Sequence, residues 1–131
     1  MPKLARILSF DLPHKTLREV MMDRDLASLG DAYTNFVYSL ALSNQEGKPV
    51  GKKVKGEILA EAIKKAGLRN QLPPKMTRHT LADTAEALIV YAWLKDHMTV
   101  AESVSILAKA PDSVKGFCNL LSTMVARIKF S

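Results

Sequence analysis

A single cysteine, Cys118, leaves no partner for an intramolecular disulfide and too few thiols for a cysteine-rich zinc site. It lies among apolar residues, as an inert core thiol does. Aromatics make up only 6% of the chain, so a core must be built from Leu, Ile, Val, Ala and Met. No apolar run reaches the about 18 unbroken residues of a membrane span. The N-terminus carries Lys3 and Arg6 but no sustained apolar segment of the secretory kind. A soluble, cytoplasmic protein is expected. Acids are the scarcer charge, 13 against 19 Lys and Arg, for a net +6. That balance favours acidic partners, of which nucleic acid is the commonest.

The 131 residues and their 47% hydrophobic content suit one domain spanning residues 1–131. There is no repeat, no low-complexity segment and no convincing strand run, so the expected architecture is all-α with roughly six or seven helices. Leu4, Ile7, Leu8 and Phe10 precede Pro13 and suggest a short helix or a packed arm. His14 to Met22 can form a helix with Leu17, Val20 and Met21 inward, and Asp23 or Asp25 can cap the next one. That next helix is expected from about Leu26 to Ser43, with Ser43 to Gly51 as a loop. Gly30 lies inside it, at a cost of ~1 kcal/mol against alanine. Its presence suggests that something packs closely there, another backbone being one candidate. Val54 to Ala66 is amphipathic and is closed by Gly67 and Leu68. A loop over 69–77 leads into a central helix from Arg78 to Lys95. Thr99 and Glu102 form a capping box for a helix to about Ala110. In the last helix, Val114, Phe117, Leu121, Met124 and Ile128 form a seam suited to core or a dimer contact.

The chemistry concentrates in Leu81–Ile89. Asp83 and Glu86 stand three residues apart in an otherwise apolar helix and share a face. Buried carboxylates are costly unless a cation meets them. Asp31, with Asn35 four residues on, is a second acidic position in an apolar setting. If the two helices cross, three carboxylates converge, and a divalent cation with oxygen ligands, usually Mg²⁺, relieves their repulsion. His79 falls on the stripe of Asp83 and Glu86; such a histidine is more often a surface residue or hydrogen-bond partner than a ligand. Lys48, Lys52, Lys53 and Lys55 flank a helix start. They read either as a solvated loop or as a phosphate-contacting edge, and placing them against the macrodipole favours an anion. Mg²⁺ with a basic rim is equipment for phosphodiester hydrolysis.

Two stretches resemble the ribonuclease III family. Leu29-Gly30-Asp31-Ala32 is similar to the end of its signature E-R-L-E-F-L-G-D-A. Leu81-Ala82-Asp83-x-x-Glu86-Ala87-Leu88-Ile89 is similar to its second motif, L-A-D-x-x-E-A-L-I. The resemblance covers roughly residues 20–95. It implies a ribonuclease III endonuclease-like helical bundle in a short form without a double-stranded-RNA-binding domain, archaeal or Mini-III-like. It also implies Mg²⁺-dependent cleavage, with Mn²⁺ as a substitute, of double-stranded or structured RNA to 5′-phosphate and 3′-hydroxyl ends by a homodimer. Asp31, Asp83 and Glu86 would be catalytic metal ligands, Asn35 and His79 their supports, and the lysines RNA contacts. Three positions depart from the signature: Arg24 and Ala27 replace its glutamates and Ser28 its phenylalanine. These motivate an alternative, a catalytically inactive RNA-binding protein of the same fold. A third reading, a helical interaction protein, pairs the acids with Arg24, Arg78 or lysines.

Overall fold

The computed structural model describes residues 7–130, and Lys3, Leu4 and Arg6 lie outside them. The helices are α1 (Leu17–Met21), α2 (Arg24–Glu46), α3 (Gly56–Lys65), α4 (Arg78–Leu94), α5 (Val100–Lys109) and α6 (Ser113–Arg127). A 3-10 turn, Arg69–Gln71, interrupts the expected loop before α4. No strand occurs among the described residues, and the protein is all-α.

Local chemistry sets the ends. α1 is shorter than expected because Thr16 caps it, accepting the Glu19 N–H at 3.1 Å. Residues 7–13 form an arm without helix, with Leu12 against the core. Asp23, and not Asp25, caps α2. It accepts the N–H groups of Asp25 and Leu26 at 2.9 and 3.0 Å, and its other oxygen lies 2.7 Å from His14 Nε2. α2 runs past Ser43 to Glu46 and ends at Gly47, whose φ of 73° suits glycine. α3 closes as expected: Leu68 N–H reaches Ile63 O and Gly67 N–H reaches Lys64 O, both at 3.1 Å, with Gly67 left-handed. The Thr99–Glu102 capping box opens α5.

α4 is the hub. Every residue from Leu81 to Ala92 except Asp83 is buried. A helix apolar on all sides needs neighbours all round. α1, α2, α3 and α6 supply them, α2 most extensively. Each large aliphatic side chain so buried, such as Leu88 or Ile89, contributes ~1.5–3 kcal/mol. Two contacts fix the α2–α4 crossing. Tyr33 stacks on Trp93 with ring centroids 4.6 Å apart. Gly30 lies against the Glu86 backbone, so that an added Cβ would overlap the Glu86 carbonyl oxygen and stand 2.5 Å from its carbonyl carbon. The expected close backbone neighbour of Gly30 is therefore the second motif itself. The α6 seam is core: Phe117, Leu121 and Met124 are buried. Among the described residues no helix is long and apolar enough to cross a membrane.

Candidate functional site

The crossing brings Asp31, Asp83 and Glu86 to one cleft of about 590 Å³. α2 supplies Arg24, Ala27, Ser28 and Asp31, spaced to share one helical face. α4 supplies His79, Thr80, Asp83 and Glu86. Lys53 and Val54 enter from the segment before α3, and Gly56 from its first turn.

The acids differ in setting. Glu86 is 7% exposed, directly below the cleft. Burial pushes its carboxyl up to about 8, assisted by a hydrogen bond and like charge from Asp31 and the charge of Asp83; Lys53 pulls the other way. Alone, the site therefore keeps a proton on Glu86 at neutral pH. Asp31 is at the surface, where its carbonyl and carboxylate oxygens accept from Asn35 Nδ2 at 2.8 and 3.1 Å. Asn35 Oδ1 in turn accepts the Val54 N–H at 2.8 Å. One amide thus ties the lysine segment to the acidic helix, which the sequence reading anticipated only as support for Asp31. The neighbouring Lys52 backbone is held on both sides by Ser39 Oγ, at 2.9 Å each. His79 is solvent-facing, its Nε2 3.8 Å from Asp83 Oδ2.

The basic cluster divides. All four lysines are exposed, but only Lys53 lines the acidic cleft. Lys55, at the N-cap of α3, lines a neighbouring cleft of about 660 Å³ with Lys64 and Arg78. Arg78 lies 3.8 Å from Glu57, so it does not neutralise the acidic site. Arg24, read in the sequence as a lost glutamate and as one candidate partner for the acids, lines the cleft wall. Its spacing from Asp31, seven residues on one helix, was the available signal.

Among the described residues, no group of three or more His, Cys, Asp or Glu side chains is placed to hold a metal ion. The donor chemistry nevertheless suits an oxygen-preferring divalent cation. Three carboxylates share one open cleft, and Glu86 keeps its proton chiefly through burial, with Asp31 and Asp83 adding to this; a cation would favour its ionised form.

The ribonuclease III family model matches residues 24–127, from the first residue of α2 to the last of α6. This chain belongs to the ribonuclease III family, whose members act on RNA and generally use divalent metals. Comparison with curated proteins gave no match.

Proposed function

We propose that the protein is a Mg²⁺-dependent endoribonuclease that cleaves double-stranded or structured RNA to 5′-phosphate and 3′-hydroxyl ends. The supporting observation is the convergence of Asp31, Asp83 and Glu86 in one cleft beside Lys53, on a fold of the ribonuclease III family. Asp31, Asp83 and Glu86 are the catalytic residues and would hold the cation. When bound, that cation supplies Lewis-acid stabilisation of charge at the phosphate and lowers the pKa of water. Glu86 would hold it in its ionised form. Asn35 keeps Asp31 and the lysine segment in register. Lys48, Lys52, Lys53 and Lys55 meet the phosphate backbone, which gives affinity with strong salt dependence. Leu29 and Phe36, 43% and 56% exposed, form an apolar stripe with Ala32 on the outer side of α2. The stripe supports a homodimer.

The test is cleavage of a labelled ~30-base-pair RNA duplex with Mg²⁺ and then Mn²⁺, comparing wild type with Glu86→Gln. Metal-dependent products bearing 5′-phosphates from the wild type alone are expected. Duplex binding by both proteins with no products under either metal would overturn the nuclease and leave an RNA-binding protein of the same fold.

A further inference from the structure

A smaller pocket, of about 280 Å³, adjoins the acidic cleft. The two share Arg24, Ala27, Thr80 and Asp83 as a common wall. Arg24 and Ala27 stand where the family signature has glutamates. A carboxylate at position 27 would line the passage between the two, and the methyl of Ala27 leaves that passage apolar. The far wall combines the junction of α1 and α2, with Met21 and Met22, and the segment before α4, with Pro73, Lys75 and Met76. Three of the chain's six methionines therefore line one pocket, and Met22 is 42% exposed. Both parts of this wall are held in place. Arg69 donates to the carbonyls of Pro73 and Pro74 at 2.8 and 2.7 Å, and Asp23 caps α2.

The chemistry of the wall narrows the guest. Methionine thioethers adapt their shape and make favourable contacts with aromatic rings, which suits a flat aromatic guest. Most polar groups of the wall are already engaged. Asp23 is taken up by the Asp25 and Leu26 N–H groups and by His14. The Thr80 hydroxyl donates to Thr77 O at 3.0 Å, and the Thr84 hydroxyl to Leu81 O at 2.6 Å. Arg24 and Lys75 are exposed and, among the described residues, outside ion-pair distance of any carboxylate. They offer hydrogen-bond donors and no acceptor. A guest with apolar ring faces and carbonyl acceptors on its edge uses both features, and a nucleobase is such a guest. A phosphate alone would leave the methionines unused, and an apolar protein side chain would leave the donors unused. A base inside a duplex is stacked and paired, so extruding it carries a cost that an unpaired base is largely spared.

We propose that this pocket receives one unpaired nucleobase of the RNA, next to the phosphate at the acidic cleft. The preferred substrate is then structured RNA with a bulged or unpaired nucleotide at the cleavage position, and an uninterrupted duplex is a weaker one. The proposal rests on the nuclease reading and deepens it by naming the feature of the RNA that is recognised.

The test is affinity, measured in EDTA, for three RNAs of one sequence: an uninterrupted duplex, the same duplex with one bulged uridine, and the same duplex with an abasic bulge. The bulged uridine should strengthen binding about 5- to 10-fold, and the abasic bulge should return it to within about twofold of the uninterrupted duplex. In Mg²⁺ the cut should fall beside the bulge. Equal affinity for the bulged and uninterrupted duplexes would overturn the proposal and leave the nuclease reading intact. An abasic bulge bound as tightly as the uridine would also overturn it, assigning the gain to a bend in the RNA. Met22→Ser should reduce the preference for the bulged uridine to within about twofold. A folded Met22→Ser protein with the full preference would place the base elsewhere and overturn the pocket. If this variant fails to fold, the abasic comparison still decides. A wild-type dimer that Met22→Ser converts to a monomer would seat a second copy in the pocket instead. A wild type that binds none of the three RNAs would overturn the nuclease reading itself, a distinct outcome.

Discussion

At the scale of single residues, Glu86 has the most to lose from being where it is. Its carboxyl is raised from 4.5 to about 8, chiefly by burial and then by Asp31 and Asp83. In the unfolded chain it ionises near its ordinary value, so between about pH 4.5 and pH 8 the folded state holds a proton that the unfolded state has released. The metal-free protein should therefore lose stability as pH rises across that window and lose no more from this group above it. Thermal unfolding from pH 5 to 9 should show a falling midpoint, recovered at pH 8 by Mg²⁺. Glu86→Gln should flatten the pH response and raise the metal-free midpoint while abolishing cleavage. An unchanged pH profile in the variant would assign the slope to other groups. Asn35 has a different exposure to mutation. Asn35→Leu removes the acceptor of the Val54 N–H and the donor to Asp31, at a cost of about 1–3 kcal/mol in denaturant unfolding, and should raise the Mg²⁺ concentration needed for half-maximal cleavage.

At the scale of elements, the N-terminus of α2 deserves a direct test because a single side chain organises it. Asp23 accepts two backbone N–H groups and faces His14. Burial raises its pKa, but the Leu26 N–H, His14 and the Asp25 N–H outweigh this and hold it below its ordinary value. Its contribution is accordingly complete at neutral pH and is lost as pH falls through that lowered value. Asp23→Ala should cost about 1–2 kcal/mol at pH 7, read by denaturant unfolding, with the difference from wild type shrinking in acid. The caps of α3 and α5 were legible in the sequence because their signals are local: Gly67 followed by Leu68, and Thr99 three before Glu102. The extent of α2 was less legible. Ser43 reads as a loop residue, but its hydroxyl accepts the Val50 N–H at 2.8 Å and donates to Ser39 O at 2.8 Å, so the helix continues while the following loop folds back on it. That bond spans a turn that no periodicity encodes. Arg24 was opaque for the same reason: a substitution in a motif says what is missing, and only the crossing of helices says what the new side chain faces.

For the whole molecule, the acids were legible as a set because an apolar helix has little other use for them. Which lysines join them was not, since Lys53 and Lys55 are two residues apart and line different clefts. Assembly is the property that most needs measurement. A homodimer on the α2 stripe predicts that Phe36→Glu shifts the mass in light scattering from dimer to monomer while leaving helix content intact. A monomeric wild type at the same concentrations would remove that surface from the proposal.

The contact between Gly30 and the Glu86 backbone has a consequence for how the family fold can change over time. Asp31 follows Gly30 directly, so the spacing of two of the three acids is gauged by main chain on main chain. Side chains elsewhere in the α2–α4 interface can drift through many combinations of size without detuning that spacing. The position itself is frozen: Gly30→Ala should cost about 1–3 kcal/mol or more in denaturant unfolding, as overpacking does. Random mutagenesis under selection for cleavage should then return a varied interface around one invariant glycine, its tolerance decided by a carbonyl group that takes no part in the chemistry.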